Sequence, residues 1–233
     1  MSPTWNSRRT AAALSAVLCA VLCACSDSGG GQDGGANGDS IESAHLLVRQ
    51  NQTPTRGCKV TTNITAKNVR GTLDISMGIG YVLYPLLESN APSSLILKNI
   101  EVKLLLGNLP GSYPSNLTEF VQPLSGVVEA GRSRAINLKV IRDALVAQIN
   151  FAKGEKYEAH MDLSAVGVVS GELVVSPTFR YTMDICNGCL VDLRSPCPPA
   201  SDGTIKRNAC GLPQDSPVTC CFQGKQPTCF KTQ

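Results

Sequence analysis

From about residue 41 to residue 185 the chain alternates apolar and polar residues with a period of two, the pattern of strands with one buried and one solvated face. Val102, Leu104 and Leu106 alternate with Lys103 and Leu105, and Ile136, Leu138 and Val140 alternate with Asn137 and Lys139. Tyr157, Ala159, Met161 and Leu163 alternate with Glu158, His160, Asp162 and Ser164, and Tyr181, Met183 and Ile185 alternate with Arg180, Thr182 and Asp184. Earlier strands are predicted at 44–50, 59–66 and 71–86, the last bent at Gly78 and Gly80. Gly, Pro, Asn and Ser gather between the runs, at 90–94, 107–116 and 129–133. Several strands at this spacing predict a mainly β domain, a sandwich or barrel, over residues 41–185. One segment departs from the pattern: in 141–152, Ile141, Ala144, Leu145, Gln148, Ile149 and Ala152 recur near helical spacing, with Gly154 as a stop. A single short helix is expected there, carrying the chain across one end of the sandwich.

The two ends of the chain read differently. Arg8 and Arg9 precede an apolar run at 11–24, too short to cross a hydrocarbon layer of roughly 30 Å and of the form of an export leader. The run ends Leu22-Cys23-Ala24-Cys25, which resembles the lipobox of bacterial lipoproteins. The resemblance implies a signal peptide over 1–24, a diacylglyceryl group on Cys25, cleavage before Cys25 and acylation of the new amino group. It also implies sorting to the outer membrane, because Ser26, not Asp, follows the lipidated position. The partner so implied is the membrane, reached through several acyl chains that together hold effectively for good. After Cys25, residues 26–40 contain no apolar side chain larger than Ala. Such a stretch cannot offset its ordering entropy by burial, so 25–40 is expected to be a flexible linker with a span of roughly 22 Å.

Cysteine usage sets the character of the C-terminal part. Of 11 cysteines, cleavage would remove Cys19 and Cys23 and lipidation would use Cys25. Cys58, Cys186, Cys189, Cys197, Cys210, Cys220, Cys221 and Cys229 remain. An even number in an exported chain predicts four disulfides with 105 possible connectivities. Seven of these cysteines follow Ile185, so full pairing within one chain requires a tail cysteine to bond Cys58. Cys220 and Cys221 point to opposite sides of an extended chain and are expected to take different partners. Residues 186–233 are rich in Pro, Gly, Asp and Lys and poor in large apolar residues. They are therefore expected to form a disulfide-rich extension packed on the sandwich.

The order strand, Glu-Ala-Gly turn, strand ending in Val140, short helix, long alternating strand, Gly turn and final strand resembles the immunoglobulin-like sandwiches of the late-embryogenesis-abundant type 2 and WHy domains, over about 95–185. The resemblance implies an immunoglobulin-like, Greek-key β-sandwich. The Asn-Pro-Asn signature of that family is absent. The runs Cys186-Asn187-Gly188-Cys189 and 210–221 are similar to tails of uncharacterised lipoproteins of Gram-negative bacteria.

A net charge of +3 gives no basis for nucleic-acid binding. Chemistry has few places to reside. Cys186 and Cys189 form a C-x-x-C, the spacing of thiol-redox pairs, but it follows a strand instead of opening a helix. A zinc site is disfavoured because there is one such pair and neither His45 nor His160 is near it in sequence. His160 falls on the polar side of its strand beside Glu158 and Asp162, the arrangement of a solvated sheet face. No nucleophile elbow, metalloprotease helix, phosphate loop or dinucleotide fingerprint is present, so no catalytic, cofactor-binding or metal-binding residue is assigned. Tyr81, Tyr84, Tyr113, Phe120, Phe151 and Phe179 are read as core and loop anchors before any binding groove. The expectation is a non-enzymatic lipoprotein of the cell envelope, outer-membrane anchored, serving as an interaction or structural module, with an envelope protein as its partner. Two alternatives are a sandwich holding an apolar ligand such as a lipid between its sheets, and a thiol-redox protein using Cys186 and Cys189.

Overall fold

The computed structural model describes residues 46–60, 67, 68 and 70–233. The leader, Cys25, the linker over 25–40, His45 and most of the strand expected at 59–66 lie outside the described residues. The elements, in chain order, are β1 (Leu46–Gln52), β2 (Lys67–Asn68), β3 (Arg70–Asp74), β4 (Val82–Leu83), β5 (Pro85–Ser89) and β6 (Leu95–Leu105). There follow α1 (Ser115–Thr118), β7 (Glu119–Pro123), β8 (Val127–Val128), β9 (Ser133–Ala135), β10 (Leu138–Lys139) and α2 (Asp143–Val146). The chain then forms β11 (Lys156–Val169), β12 (Glu172–Val175), β13 (Phe179–Cys186), β14 (Val191–Leu193), β15 (Val218–Gln223) and β16 (Gln226–Cys229).

The protein is mainly β, as its alternation predicts. The larger sheet runs β3-β13-β11-β6-β7, with β12 continuing beside β11 and β8 beside β6. It is antiparallel except at one edge, where β3 lies parallel to β13. A second sheet, β2-β1-β5-β9, and the short β4–β10 pair lie opposite it. The inward rows of both layers make one core. Leu95, Leu97, Ile100, Val102 and Leu104 of β6, Ala159, Met161 and Leu163 of β11, and Tyr181, Met183 and Ile185 of β13 meet Leu46 and Val48 of β1, Leu83 of β4, Leu87 of β5 and Leu138 of β10. This is the two-layer packing of a sandwich, each strand burying alternate residues.

The alternation of β6 is interrupted once. Val166 of β11 pairs with Asn99, but Gly167 pairs with Leu97, so Lys98 is an extra residue on β6. That bulge brings Leu97 and Ile100, three apart, to the same buried side. Gly167 is required opposite it, because a Cβ there would meet the Leu95 side chain at 2.6 Å.

Where the sequence predicts one strand over 71–86, the structure has β3, a 3-10 turn at Ile75–Met77, β4 and part of β5. The break lies at the expected glycines. Gly78 has φ +67°, and a Cβ at Gly80 would sit 1.8 Å from the Ile141 carbonyl oxygen. Likewise the run 136–140 does not form one strand: only Leu138–Lys139 is strand, as β10 paired with β4, while Ile136 donates its N–H to the Pro85 carbonyl of β5. The helix expected over 141–152 shrinks to the single turn α2. Ile141 is held instead by Tyr81, whose N–H donates to its carbonyl and whose carbonyl accepts from its N–H. After Val146 the bonds are of the i+3 type, from Gln148 N–H to Leu145 and from Ile149 N–H to Val146. Ile141, Leu145 and Ile149 are all buried, so their spacing records a core contact made by a short loop. A second one-turn helix, α1, follows Pro114 in a segment the sequence presents only as turns, which makes two short helices where one was expected.

The tail has its own small sheet, β14 parallel to β15 and β15 antiparallel to β16. Its apolar content is slight: Val218 and Cys220 pack with Met77 of the sandwich, apart from the main core. Four disulfides supply the rest, joining Cys58 to Cys210, Cys186 to Cys189, Cys197 to Cys221 and Cys220 to Cys229. Adjacent Cys220 and Cys221 thus take different partners, and the tail is bonded back to Cys58 beyond β1. Because a crosslink restricts the unfolded chain in proportion to the logarithm of the loop it closes, the bridges are unequal. Exchanging both Cys58 and Cys210, 152 residues apart, for Ser should lower the unfolding free energy by about 5 kcal/mol. The same exchange at Cys186 and Cys189, three apart, should cost less than about 2 kcal/mol, and urea unfolding of the two variants measures the contrast.

Candidate functional site

The C-x-x-C lies at the end of β13, and Cys186 and Cys189 are bonded to each other. Its loop is held by Asp74, the last residue of β3 and fully buried. The Asp74 carboxylate accepts from the backbone N–H groups of Ser76 at 3.0 Å, Gly188 at 2.8 Å, Leu190 at 2.7 Å and Val191 at 2.9 Å. Burial is the largest influence on this group and acts to raise its pKa, but the amides of Ser76, Gly188 and Leu190 together outweigh it and hold the carboxyl below its ordinary value. The carboxylate oxygen and both sulfurs lie within 4.8 Å of one another. With the sulfurs bonded together and the carboxylate engaged by four amides, the trio fixes the loop that follows β13.

A second set of contacts seats the tail against the edge of the larger sheet. Asp74 N–H donates to the Pro213 carbonyl, and Asp215 N–H donates to that of Thr72. Gln214 is buried, and its side-chain amide pairs with Val82 twice: its oxygen accepts from Val82 N–H at 2.9 Å and its nitrogen donates to Val82 C=O at 2.8 Å. The Tyr81 hydroxyl donates to the Asp215 carboxylate at 2.8 Å and lies 3.2 Å from that of Tyr181. Burial first, then the Asp215 charge, pushes the Tyr81 phenol far above its usual range, so it remains a proton donor. The Tyr84 hydroxyl lies 3.0 Å from the Cys58 sulfur and 3.2 Å from that of Cys210. Tyr81, Tyr84 and Phe151 are buried, while Tyr113, Phe120 and Phe179 pack partly buried against the core; the six aromatics line no common groove.

The outward face of the larger sheet is divided into two bands. Towards the β13 end, charges alternate across four strands in register: Glu119, Lys103, Asp162, Arg180. Lys103 bonds Glu119 at 2.7 Å, and Arg180 grips both oxygens of Asp162 at 2.7 Å. The Arg180 contact, the largest influence, holds the Asp162 carboxyl below its ordinary value despite partial burial. One step along, Asp184 is held by Arg70 and Lys156, and Arg70 also reaches Glu158. His160 stands among them, its Nδ1 3.1 Å from the Thr182 hydroxyl and its Nε2 3.4 Å from Glu158. A shallow groove of about 540 Å³ crosses this face, lined in part by Glu101, Lys103, Glu119, Asp162 and Ser164. Its charges are largely spent on one another. It lies on the outward face of the larger sheet, away from the core side chains already named.

The other band is apolar. Leu173 of β12, Val168 of β11, Ile96 of β6 and Val127 of β8 stand opposite one another in register. Leu173, Ile96 and Val127 are 66%, 49% and 45% exposed. Val175, in the next row, is 55% exposed. Sequence reading passed over this band, although its signal is present: Leu95-Ile96-Leu97 and Val166-Gly167-Val168-Val169 are apolar at both parities, the mark of strands with no solvated face.

No family model matches the chain, and no curated protein matches it. Among solved structures it is similar to a crystal structure of a protein from Archaeoglobus fulgidus, at 8% identity, over 46% of this chain and 84% of that one, with a TM-score of 0.32. A likeness that slight carries no argument about this protein.

Two substitutions test the seating of the tail. Asp74→Asn keeps the shape but replaces one accepting oxygen by a donor facing N–H groups, and should cost about 2–3 kcal/mol in urea unfolding. Because the folded-state carboxyl titrates below its unfolded value, the stability it supplies is complete above about pH 4 and is lost as pH falls through the folded-state value. The variant should therefore lose less stability on acidification than the parent. Gln214→Leu leaves both backbone groups of Val82 without those partners in a buried place and should cost about 2–3 kcal/mol, read in the same way.

Proposed function

We propose that this protein is an exported lipoprotein, anchored to the outer membrane through acyl chains on Cys25, whose sandwich is a non-enzymatic interaction or structural module of the cell envelope. The observation that carries the reading is the sulfur ledger. The four disulfides take up every cysteine that follows Cys25, as expected of a chain matured in an oxidising compartment. Cys25 is the cysteine of the Leu22-Cys23-Ala24-Cys25 lipobox, and once cleavage removes Cys19 and Cys23 it is the odd ninth cysteine beside those eight. Three further features support a non-enzymatic role: the C-x-x-C is closed under a buried carboxylate, His160 is one member of a charged sheet face, and the outer groove is lined by side chains paired with one another.

Intact-mass and N-terminal analysis of the protein taken from its own membrane tests the reading. The expected product starts at Cys25 and carries a diacylglyceryl group and an N-acyl chain, and Cys25→Ser should leave the precursor uncut and unlipidated. An unmodified mature N-terminus at any other residue overturns it. Titration of thiols in the native protein adds the redox arm: inert bridges agree with the proposal, whereas a pair at Cys186 and Cys189 that cycles without loss of fold would favour the thiol-redox alternative.

A further inference from the structure

We propose that the apolar band on the larger sheet, Leu173-Val168-Ile96-Val127, docks against the lipid bilayer to which Cys25 anchors the chain; this rests on the anchoring reading above. The argument is one of position. The described chain begins at Leu46, and Leu46 pairs with Ser89 at the end of β5. Six residues later β6 begins at Leu95, opposite Val169 of β11, and the Ser93 hydroxyl lies 3.1 Å from that of Ser170 in the β11–β12 turn. The first strand therefore enters the sandwich at the end that carries the apolar band. The disulfide-braced tail leaves from Cys186, which pairs with Lys156 at the other end of β11, about 45 Å away along that strand.

Chemistry agrees with position. Four aliphatic side chains in register on an outward sheet face form a contiguous apolar row, not single exposed residues of the ordinary kind. The charges beside it carry both signs: Arg134 donates to the Val127 carbonyl, Glu129 and Arg132 lie next to Val127, and Glu172 precedes Leu173, so attraction to anionic headgroups is not the main thing the surface offers. It offers aliphatic area to the boundary between headgroups and acyl chains. A row of that size is too small to hold a free protein on a membrane. A chain fixed about 21 residues before Leu46 is different, because a short tether supplies an effective concentration on the order of millimolar. Docking of the anchored domain then needs no more than weak contact.

The mature chain offers a clean probe, since its single tryptophan, Trp5, leaves with the leader. Lipidated full-length Leu173→Trp and Lys153→Trp, the second a residue at the opposite end of β11, are to be reconstituted in vesicles of brominated phosphatidylcholine with phosphatidylglycerol. The Leu173→Trp emission should be quenched at least twofold and shifted to the blue, at low and high salt alike, while Lys153→Trp is unaffected. Adding Ile96→Asp and Val127→Asp to Leu173→Trp should abolish the quenching while the protein still floats with the vesicles and unfolds cooperatively in urea. Equal quenching at both sites, or none at either on vesicles that carry the protein, overturns the proposal. So does a dimer in detergent that Ile96→Asp dissolves, which assigns the row to a second copy. Failure of the anchoring reading shows itself separately, as protein without the acyl mass that is left behind when the vesicles float, and it removes the docking proposal with it.

Discussion

An edge strand with its N–H and C=O groups unpaired is an invitation to foreign strands, and the rest of this structure depends on how one such edge is closed. β3 is bonded along one side by β13. Its other side is taken by the tail: Leu73 bridges Gln214, Asp74 donates to Pro213, and Thr72 exchanges bonds with Asp215. The tail is poor in apolar residues and brings little burial energy to this task, so something else must keep it in place. The Cys58–Cys210 bridge fixes it four residues before Gln214, and the Asp74 carboxylate fixes the point where the tail departs. Sheet edge, covalent bond and buried charge are parts of one device. Remove the bridge and the plug must find its place against the entropy of a free 48-residue extension; remove Asp74 and the loop that aims the extension loses three bonds at once.

The legible part of this fold was what a single strand decides for itself. β6, β11 and β13 announce themselves because each is eight or more residues long and sends every second residue to the core, save at the β6 bulge. What escaped is what two segments decide together. The stretch 141–152 reads as a helix because Ile141, Leu145 and Ile149 are all drawn into the core, but the pull on Ile141 comes from Tyr81, sixty residues away, and no local spacing reveals it. The run 136–140 alternates correctly and still divides, since Ile136 bonds to Pro85 of β5 while Leu138 and Lys139 pair with β4. The cysteines show the same limit. Their parity ties the tail to Cys58, yet selecting Cys210 as the partner takes the geometry of Tyr84 and the Gln214 plug. Asp74 carried no signal at all, because a buried carboxylate is defined by the amides that surround it and these come from residues 76 and 188–191.

The outward face of the larger sheet shows how one surface can serve two ends. In the charged band Lys103 and Glu119, Asp162 and Arg180, and Asp184 with Arg70 and Lys156 are partners across the strands, and exposed pairs of this kind contribute little free energy, about 0–1 kcal/mol each. Their value lies in register: like charges would meet if a strand slipped, and a slip by one residue would send the apolar row of β11 to the outside. The apolar band does not need that help, since the β6 bulge at Lys98 and the fit of Gly167 on Leu95 already fix the strands there. Its exposed aliphatic residues therefore have no structural reason to face water. Residues that cost solubility without stabilising the fold are the ones whose explanation has to come from outside the domain, and the band sits at the end where the chain arrives. A sandwich closed by sulfur at one end and left apolar at the other has a direction built into it, and that direction is the one the proposed docking uses.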